Sequence, residues 1–319
     1  MSQQHLIGID IGGTTVKIAF VTYKGDILHK WEIPTDKEEG AIGIVPDIAA
    51  SIEEQLIAQS LQSKDFAAIG VGAPGFIDVE SGIVHEAVNI GWKNYHLSEK
   101  LQEATGFKVW VENDANLAAL GENWKGSGDQ AQHMLAVTLG TGVGGGIIAN
   151  GQLLHGSNGT VAEIGHMTVE TENPLPCNCG KDGCLETVAS ASGIAKIATL
   201  EIKDGKSTKL SSILDRQGSI TARDVFQAAS EEDQVAQDVL AYVIDHLGRA
   251  VANLAIALNP SKIVIGGGVS KAGDQLLLPL RAAFDRYALT RTSQAVEFEI
   301  ASLGNDAGVI GAAYLAKRK

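Results

Sequence analysis

The chain opens with an apolar run, HLIGID, a turn at Gly12 and Gly13, and a second apolar run, TTVKIAFV; the same order returns from Met134 as MLAVTLG, TGVGGG, GIIANG and QLLHG. Short β-rich runs separated by glycine read as strands joined by tight turns. Their recurrence suggests a chain built from two similar halves. The opening pair continues past Lys24-Gly25-Asp26 into ILHKWEI, a β-meander. Helix-like apolar spacing then runs from about Gly43 to Gln62, and AAIGVGAPG reads as a buried strand entering a loop, so the first unit is α/β. Val235, Val239, Val243, Leu247, Val251 and Leu254 recur at helical spacing until Pro260 ends the pattern, and KIVIGGGVS follows as strand then turn. The polar, weakly periodic stretch from about Glu201 to Thr221 reads as a surface excursion without chemistry.

With 319 residues, 45% of them hydrophobic, the chain can bury two modest cores, and two domains are expected. A net charge of -13 repels phosphates, which argues against a nucleic-acid or anionic-membrane surface. The start, MSQQHLIGIDIGG, lacks the basic and apolar regions of a signal peptide, and no later apolar run reads as a membrane span; a cytoplasmic protein is expected. The three cysteines all lie between Cys177 and Cys184, a poor disulfide framework and a better metal site.

Three glycine loops follow three apolar runs: Asp10 to Thr15, Leu139 to Gly146, and Gly266 to Ser270. Glycine lets backbone amides approach phosphate oxygens, and threonine hydroxyls add donors. A tight hairpin explains any one of them better; the three together favour phosphate binding. Gly140 to Gly145 also matches the spacing of a dinucleotide fingerprint, and Gly205-Lys206-Ser207 resembles the end of a P-loop. The first is followed by a β-like run instead of a helix, and the second has Leu200 where a P-loop needs glycine.

Val109-Trp110-Val111 reads as a strand delivering Glu112-Asn113-Asp114 to the start of a helix. Asn113 or Asp114 can cap that helix. Asp114 can equally accept a proton from a substrate hydroxyl, with Asn113 bonded to a sugar, and the two roles are compatible. His166 with Cys177, Cys179 and Cys184 makes a Cys₃His set suited to closed, structural zinc, with glycines permitting the turns between. Were one ring nitrogen of His166 on the metal, the other would carry N–H beside Glu163 and Glu186.

Taken in order, DIGGTTVKIA, GVGAPGFID, VENDANLAALGE, VTLGTGVGGGIIANG, AEIGHM, CNCGKDGCLET, NPSKIVIGGGVS and GNDAGVIGAA resemble the ROK family of sugar kinases and repressors, and within it the bacterial glucokinases. The resemblance covers essentially the whole chain. It implies an actin-like (ribonuclease H-like) two-domain ATPase fold with a cleft active site: residues 1–115 as a small α/β domain, 116–305 as a larger one carrying the zinc loop, and a helix at 306–319 packing back on the first. It implies transfer of the γ-phosphate of ATP to the 6-hydroxyl of glucose, the alternatives being a kinase for N-acetylmannosamine, N-acetylglucosamine or fructose, or a non-catalytic sugar-sensing regulator.

By position in the motifs, the resemblance makes Asp114 the general base and Asn113, Glu163, His166 and Glu186 sugar ligands, with Gly75 and Asn89 on the sugar side. His166, Cys177, Cys179 and Cys184 become zinc ligands, and Asp10 a magnesium-side carboxylate acting through water. Gly12, Gly13, Thr14, Thr138, Gly140, Thr141 and Gly142 would line the phosphates, and Gly267 and Gly268 would border the adenosine. A homodimer or homotetramer is implied. The family's repressors carry an N-terminal helix-turn-helix, for which a first strand beginning by Leu6 leaves no room.

Overall fold

A computed structural model describes residues 4–319. In chain order the elements are β1 (His5–Ile11), β2 (Thr15–Val21), β3 (Ile27–Pro34), α1 (Ile44–Ala58), β4 (Phe66–Ala73), β5 (Phe76–Asp78), β6 (Ile83–Ala87), β7 (Trp92–Tyr95), α2 (Leu97–Thr105), β8 (Val109–Asn113) and α3 (Asp114–Lys125). There follow β9 (Met134–Leu139), β10 (Val143–Ala149), β11 (Gln152–Leu153), α4 (Leu185–Ala189), α5 (Ala191–Lys203), α6 (Leu210–Gln217), α7 (Ala222–Ser230), α8 (Gln234–Leu258), β12 (Lys262–Gly266), α9 (Asp274–Tyr287), α10 (Thr290–Ala295), β13 (Glu297–Ile300) and α11 (Ala307–Arg318).

The chain divides into two compact units. The first comprises residues through Gln130, then Leu153–Val161 and Ser302–Lys319; the second comprises Ala131–Gln152 and Ala162–Ala301. The first continuous segment of that unit runs to Gln130, whereas the sequence resemblance implies a domain boundary at 115. Helix α3 belongs with the first unit because it packs against α11, Gly121 lying so close to Ala307 that no Cβ would fit. Nothing in the local sequence announces the return of 153–161.

In the first unit the sheet order is β3-β2-β1-β4-β8, with β1–β2 and β2–β3 antiparallel and β1–β4 and β4–β8 parallel. Alternation along β1 sorts its residues by face. Ile7, Ile9 and Ile11 join the core formed with Ile48, Ile52, Leu97 and Leu101 of α1 and α2. Leu6 faces Val309 and Ala313 of α11, with Gly8 and Asp10 on the same side. Gly8 and Gly70 meet the backbone carbonyls of Val309 and Ala312, so a Cβ at either position would collide with α11. A small sheet, β5-β6-β7, completes this unit.

The second unit repeats the plan: β11-β10-β9-β12-β13, with β9–β10 antiparallel and β9–β12 and β12–β13 parallel. This is the duplication that the recurring strand and glycine pattern suggests. Helix α8 is started by the Asp233 carboxylate, which accepts from the Ala236 N–H, and ends at Asn259 in the left-handed region before Pro260. By length and composition α8 is apolar enough to cross a membrane, unlike the reading from sequence, yet 61% of its apolar stretch is buried within the protein. The polar 201–221 stretch is largely exposed, as its composition suggests. It contains α6, tied to the start of α8 by bonds from Thr208 Oγ1 and Lys209 N–H to Asp233.

Candidate active site and metal centre

Strand β8 carries buried Val109 and Val111 and pairs with β4, placing Asn113 opposite Ala73. The helix cap falls to Asn113. Its Oδ1 accepts the N–H groups of Ala115 (2.9 Å) and Asn116 (3.2 Å), and its Nδ2 donates to the Gly75 carbonyl at 3.2 Å. That leaves Asn113 a second Nδ2 hydrogen for a ligand. Asp114 begins the helix, where the macrodipole favours an anion, and its Oδ1 accepts the Ala115 N–H at 2.8 Å. The amide therefore fixes the turn that carries the carboxylate.

Asp10 stands across from Lys17 on β2, with Lys17 Nζ 3.9 Å from its carboxylate. Burial pushes the Asp10 carboxyl up and Lys17 pulls it down. The following turn is closed by Gly12 N–H to the Thr15 carbonyl (3.0 Å) and steadied by Thr35, whose Oγ1 donates to Gly12 O (2.8 Å) and whose N–H donates to Thr14 O (2.9 Å). A Cβ built on Gly13 would lie 3.8 Å from Cβ of Asn89, so the turn and this sugar-side candidate are neighbours.

In the second unit, the β9–β10 turn is closed by Gly140 N–H to Gly142 O at 2.9 Å. The start of α5 cradles it: Ala191 N–H donates to Gly140 O (2.8 Å), and Ser192 Oγ to Thr141 O. Glu186 at the start of α4 accepts the Val143 N–H at 3.1 Å, and a Cβ on Gly142 would collide with that same Glu186 oxygen. Thr138 pairs with both Gly144 and Gly266. Gly267, at φ +84°, packs on the backbone of Leu139, whereas a Cβ on Gly268 would meet nothing within 4 Å. The two glycine loops of this unit therefore converge, and Glu186 touches the first.

His166 Nδ1 and the sulfurs of Cys177, Cys179 and Cys184 all lie within 4.8 Å of one another. Cys179 Sγ is 3.6 Å from Cys184 Sγ, and Cys177 Sγ is 3.7 Å from His166 Nδ1. Those separations match neighbouring corners of a tetrahedron with metal–ligand bonds of about 2.0–2.3 Å. Lys181 Nζ donates to the His166 carbonyl at 2.6 Å, and Cys177 N–H to the Lys181 carbonyl at 2.8 Å, closing the knot. Burial and neighbouring sulfurs push the Cys184 thiol up to about 12, burial raises Cys177, and the Lys181 N–H lowers Cys179. A thiophilic cation that took the thiolates would resolve this crowding. The other ring nitrogen of His166, Nε2, lies 4.0 Å from Glu163 Oε2. Burial raises the Glu163 carboxyl, with His166 opposing the rise and Glu186 adding to it.

Sequence reading overlooked Glu112, which is 2% exposed. Its Oε1 accepts from Asn113 N–H and Asn116 Nδ2, each at 3.0 Å, and its Oε2 is 2.7 Å from His155 Nε2. It also overlooked Glu122, which accepts from the N–H groups of Ser127, Ser302 and Leu303 and so ties α3 to the entry of α11. A buried acid inside an apolar run was the available signal; its distant partners were not.

The model of the ROK family matches residues 6–319. The chain is 54% identical over 319 residues to the glucokinase of Halalkalibacterium halodurans, covering 100% of this chain and 97% of that one. It is 39% identical to the glucokinase of Thermotoga maritima, covering 100% and 99% respectively. The crystal structure of a ROK family glucokinase from Streptomyces griseus in complex with glucose and AMPPNP superposes with a TM-score of 0.80 at 33% identity, covering 99% of this chain and 100% of that one. With the duplicated sheets, these likenesses give the actin-like ATPase fold, and the chain belongs to the ROK family.

Proposed function

We infer that this chain is a glucokinase, transferring the γ-phosphate of ATP to the 6-hydroxyl of glucose. The observation that carries this reading is its 54% identity, over its full length, with a glucokinase. Asp114 accepts the proton of the 6-hydroxyl as that oxygen bonds to the γ-phosphorus; the bond from phosphorus to the β–γ bridging oxygen breaks, and ADP leaves. Asn113, Glu163, His166 and Glu186 hold the sugar, with Gly75 and Asn89 at its edge. Gly12, Gly13, Thr14, Thr138, Gly140, Thr141 and Gly142 offer backbone and hydroxyl groups to the phosphates, and Gly267 and Gly268 border the adenosine. Magnesium, with Asp10 on its side, neutralises phosphate charge when bound. The net charge of -13 supports small-molecule substrates over nucleic acid.

Coupled ADP release across glucose, mannose, fructose, N-acetylmannosamine and N-acetylglucosamine tests the assignment, with dominant turnover expected on glucose. Dominance of an N-acetyl sugar would move the substrate within the family, and no turnover at all would favour a sugar-sensing regulator. Asp114→Asn should lower kcat by about 10²–10⁴-fold while the far-UV spectrum is unchanged; a folded variant with full turnover would remove Asp114 from the role.

His166, Cys177, Cys179 and Cys184 suit a structural zinc, since four protein ligands leave no open position. Holding Nδ1 of His166 on that side leaves Nε2–H toward Glu163 and the sugar. Metal analysis should find about one zinc per chain, and its removal by a chelator should lower both the thermal midpoint and the affinity for glucose. Stripped protein with an unshifted midpoint and full affinity would contradict the assignment.

Because Gly142 lies against Glu186, Gly142→Ala should displace the sugar ligand as well as alter a phosphate turn. The expected result is a KM for glucose raised about tenfold or more, the scale of a lost hydrogen bond to a charged group. A variant in which only the KM for ATP changes would mean that Glu186 does not contact the sugar.

A further inference from the structure

The segment Leu153–Val161 sides with the first unit although the residues on both sides of it side with the second. One of its attachments is a side-chain bond of 2.7 Å between His155 Nε2 and Glu112 Oε2. A Cβ built on Gly159 would stand 3.0 Å from the Ile77 carbonyl, so the same segment also approaches β5 closely. Glu112 itself is buried at the end of β8, with both oxygens engaged.

A carboxylate taken out of water is costly unless it is paired and hydrogen-bonded. Here the pairing converges on one stretch of backbone. Glu112 Oε1 receives the N–H of Asn113, the residue that caps α3 and precedes Asp114. Asn116 in the first turn of α3 gives Nδ2 to the same oxygen, although its own Oδ1 is then left without a partner. The bond to Glu112 holds the His155 imidazole above its ordinary value, against the opposing effects of its own burial and of Lys319. The chain leaving the segment at Val161 enters the stretch that bears Glu163 and His166.

We propose that Glu112 and His155 are positioning residues for phosphoryl transfer, the carboxylate fixing the backbone of Asn113 and Asp114 and the imidazole fastening the 153–161 segment to that same strand end. The proposal rests on the reading of Asp114 as the base. The pair touches no reacting atom; it sets where the base stands, and transfer that relies on positioning is sensitive to small displacements.

The test compares His155→Gln with His155→Asn. Glutamine places its Nε2 at nearly the reach of the imidazole Nε2 and can still donate to Glu112; asparagine is a methylene shorter and cannot. His155→Gln should keep kcat on glucose near wild type, whereas His155→Asn should lose about tenfold to a hundredfold in kcat with the KM for ATP little changed. Equal kcat values in the two folded variants would overturn the proposal. Should His155→Asn fail to fold, His155→Ala carries the test: it leaves Glu112 Oε2 without the imidazole, so kcat should fall with KM for ATP unchanged, and a folded His155→Ala enzyme of wild-type kcat also overturns it. The Asp114→Asn result stands whatever the His155 variants do, so failure of the positioning role and failure of the base assignment are separately visible.

Discussion

The first unit depends on a backbone-to-backbone contact. Where α11 crosses β1 and β4, Gly8 and Gly70 face the carbonyls of Val309 and Ala312 with no side chain between them, and Gly311 and Gly121 repeat the arrangement against α3. Packing of this kind has no soft layer to absorb a shift. It therefore fixes the ends of β1 and β4 and the start of α3 with respect to one another. The functional candidates of this unit lie at those ends: Asp10 on β1, Gly75 after β4, Asn113 and Asp114 between β8 and α3. Gly308 extends the contact to the site itself, since a Cβ there would lie 2.6 Å from Asp10 Oδ2.

Several of the side chains proposed for the chemistry also hold the structure. Asn113 caps a helix with its oxygen and holds the Gly75 turn with its nitrogen, keeping one hydrogen for a ligand. Glu186 opens α4 and accepts from the phosphate turn at Val143, so the geometry of a proposed sugar ligand is set by the loop proposed for the nucleotide. His166 divides its ring between the sulfur cluster and Glu163. Each is held by bonds within its own unit, which suits a reaction governed by positioning.

Strands β1 to β4, β8 to β10 and β12, the glycine turns, the cap at β8–α3, helix α8 and the four metal-ligand candidates were legible because each is written in local spacing. What was not legible depends on contacts between residues far apart in sequence. The unit boundary follows from α3 meeting α11, and Glu122 reaches residues 180 and 181 positions away. Glu112 finds His155 43 positions on, in a segment whose own sequence gives no sign of returning to the first unit. The turns at Gly12 and Gly140 are hairpins in fact, so the ordinary explanation of their glycines holds alongside the proposed role in binding phosphate.

The proposed reaction turns on one contact, between the Asp114 carboxylate and the 6-hydroxyl of glucose. A structure of the protein with glucose bound measures it directly. The expected result is an Asp114 carboxylate oxygen within about 2.6–3.2 Å of the 6-hydroxyl, with the Asn113 amide still capping α3. A sugar whose 6-hydroxyl points away from Asp114, or whose 1-hydroxyl takes that place, would contradict it.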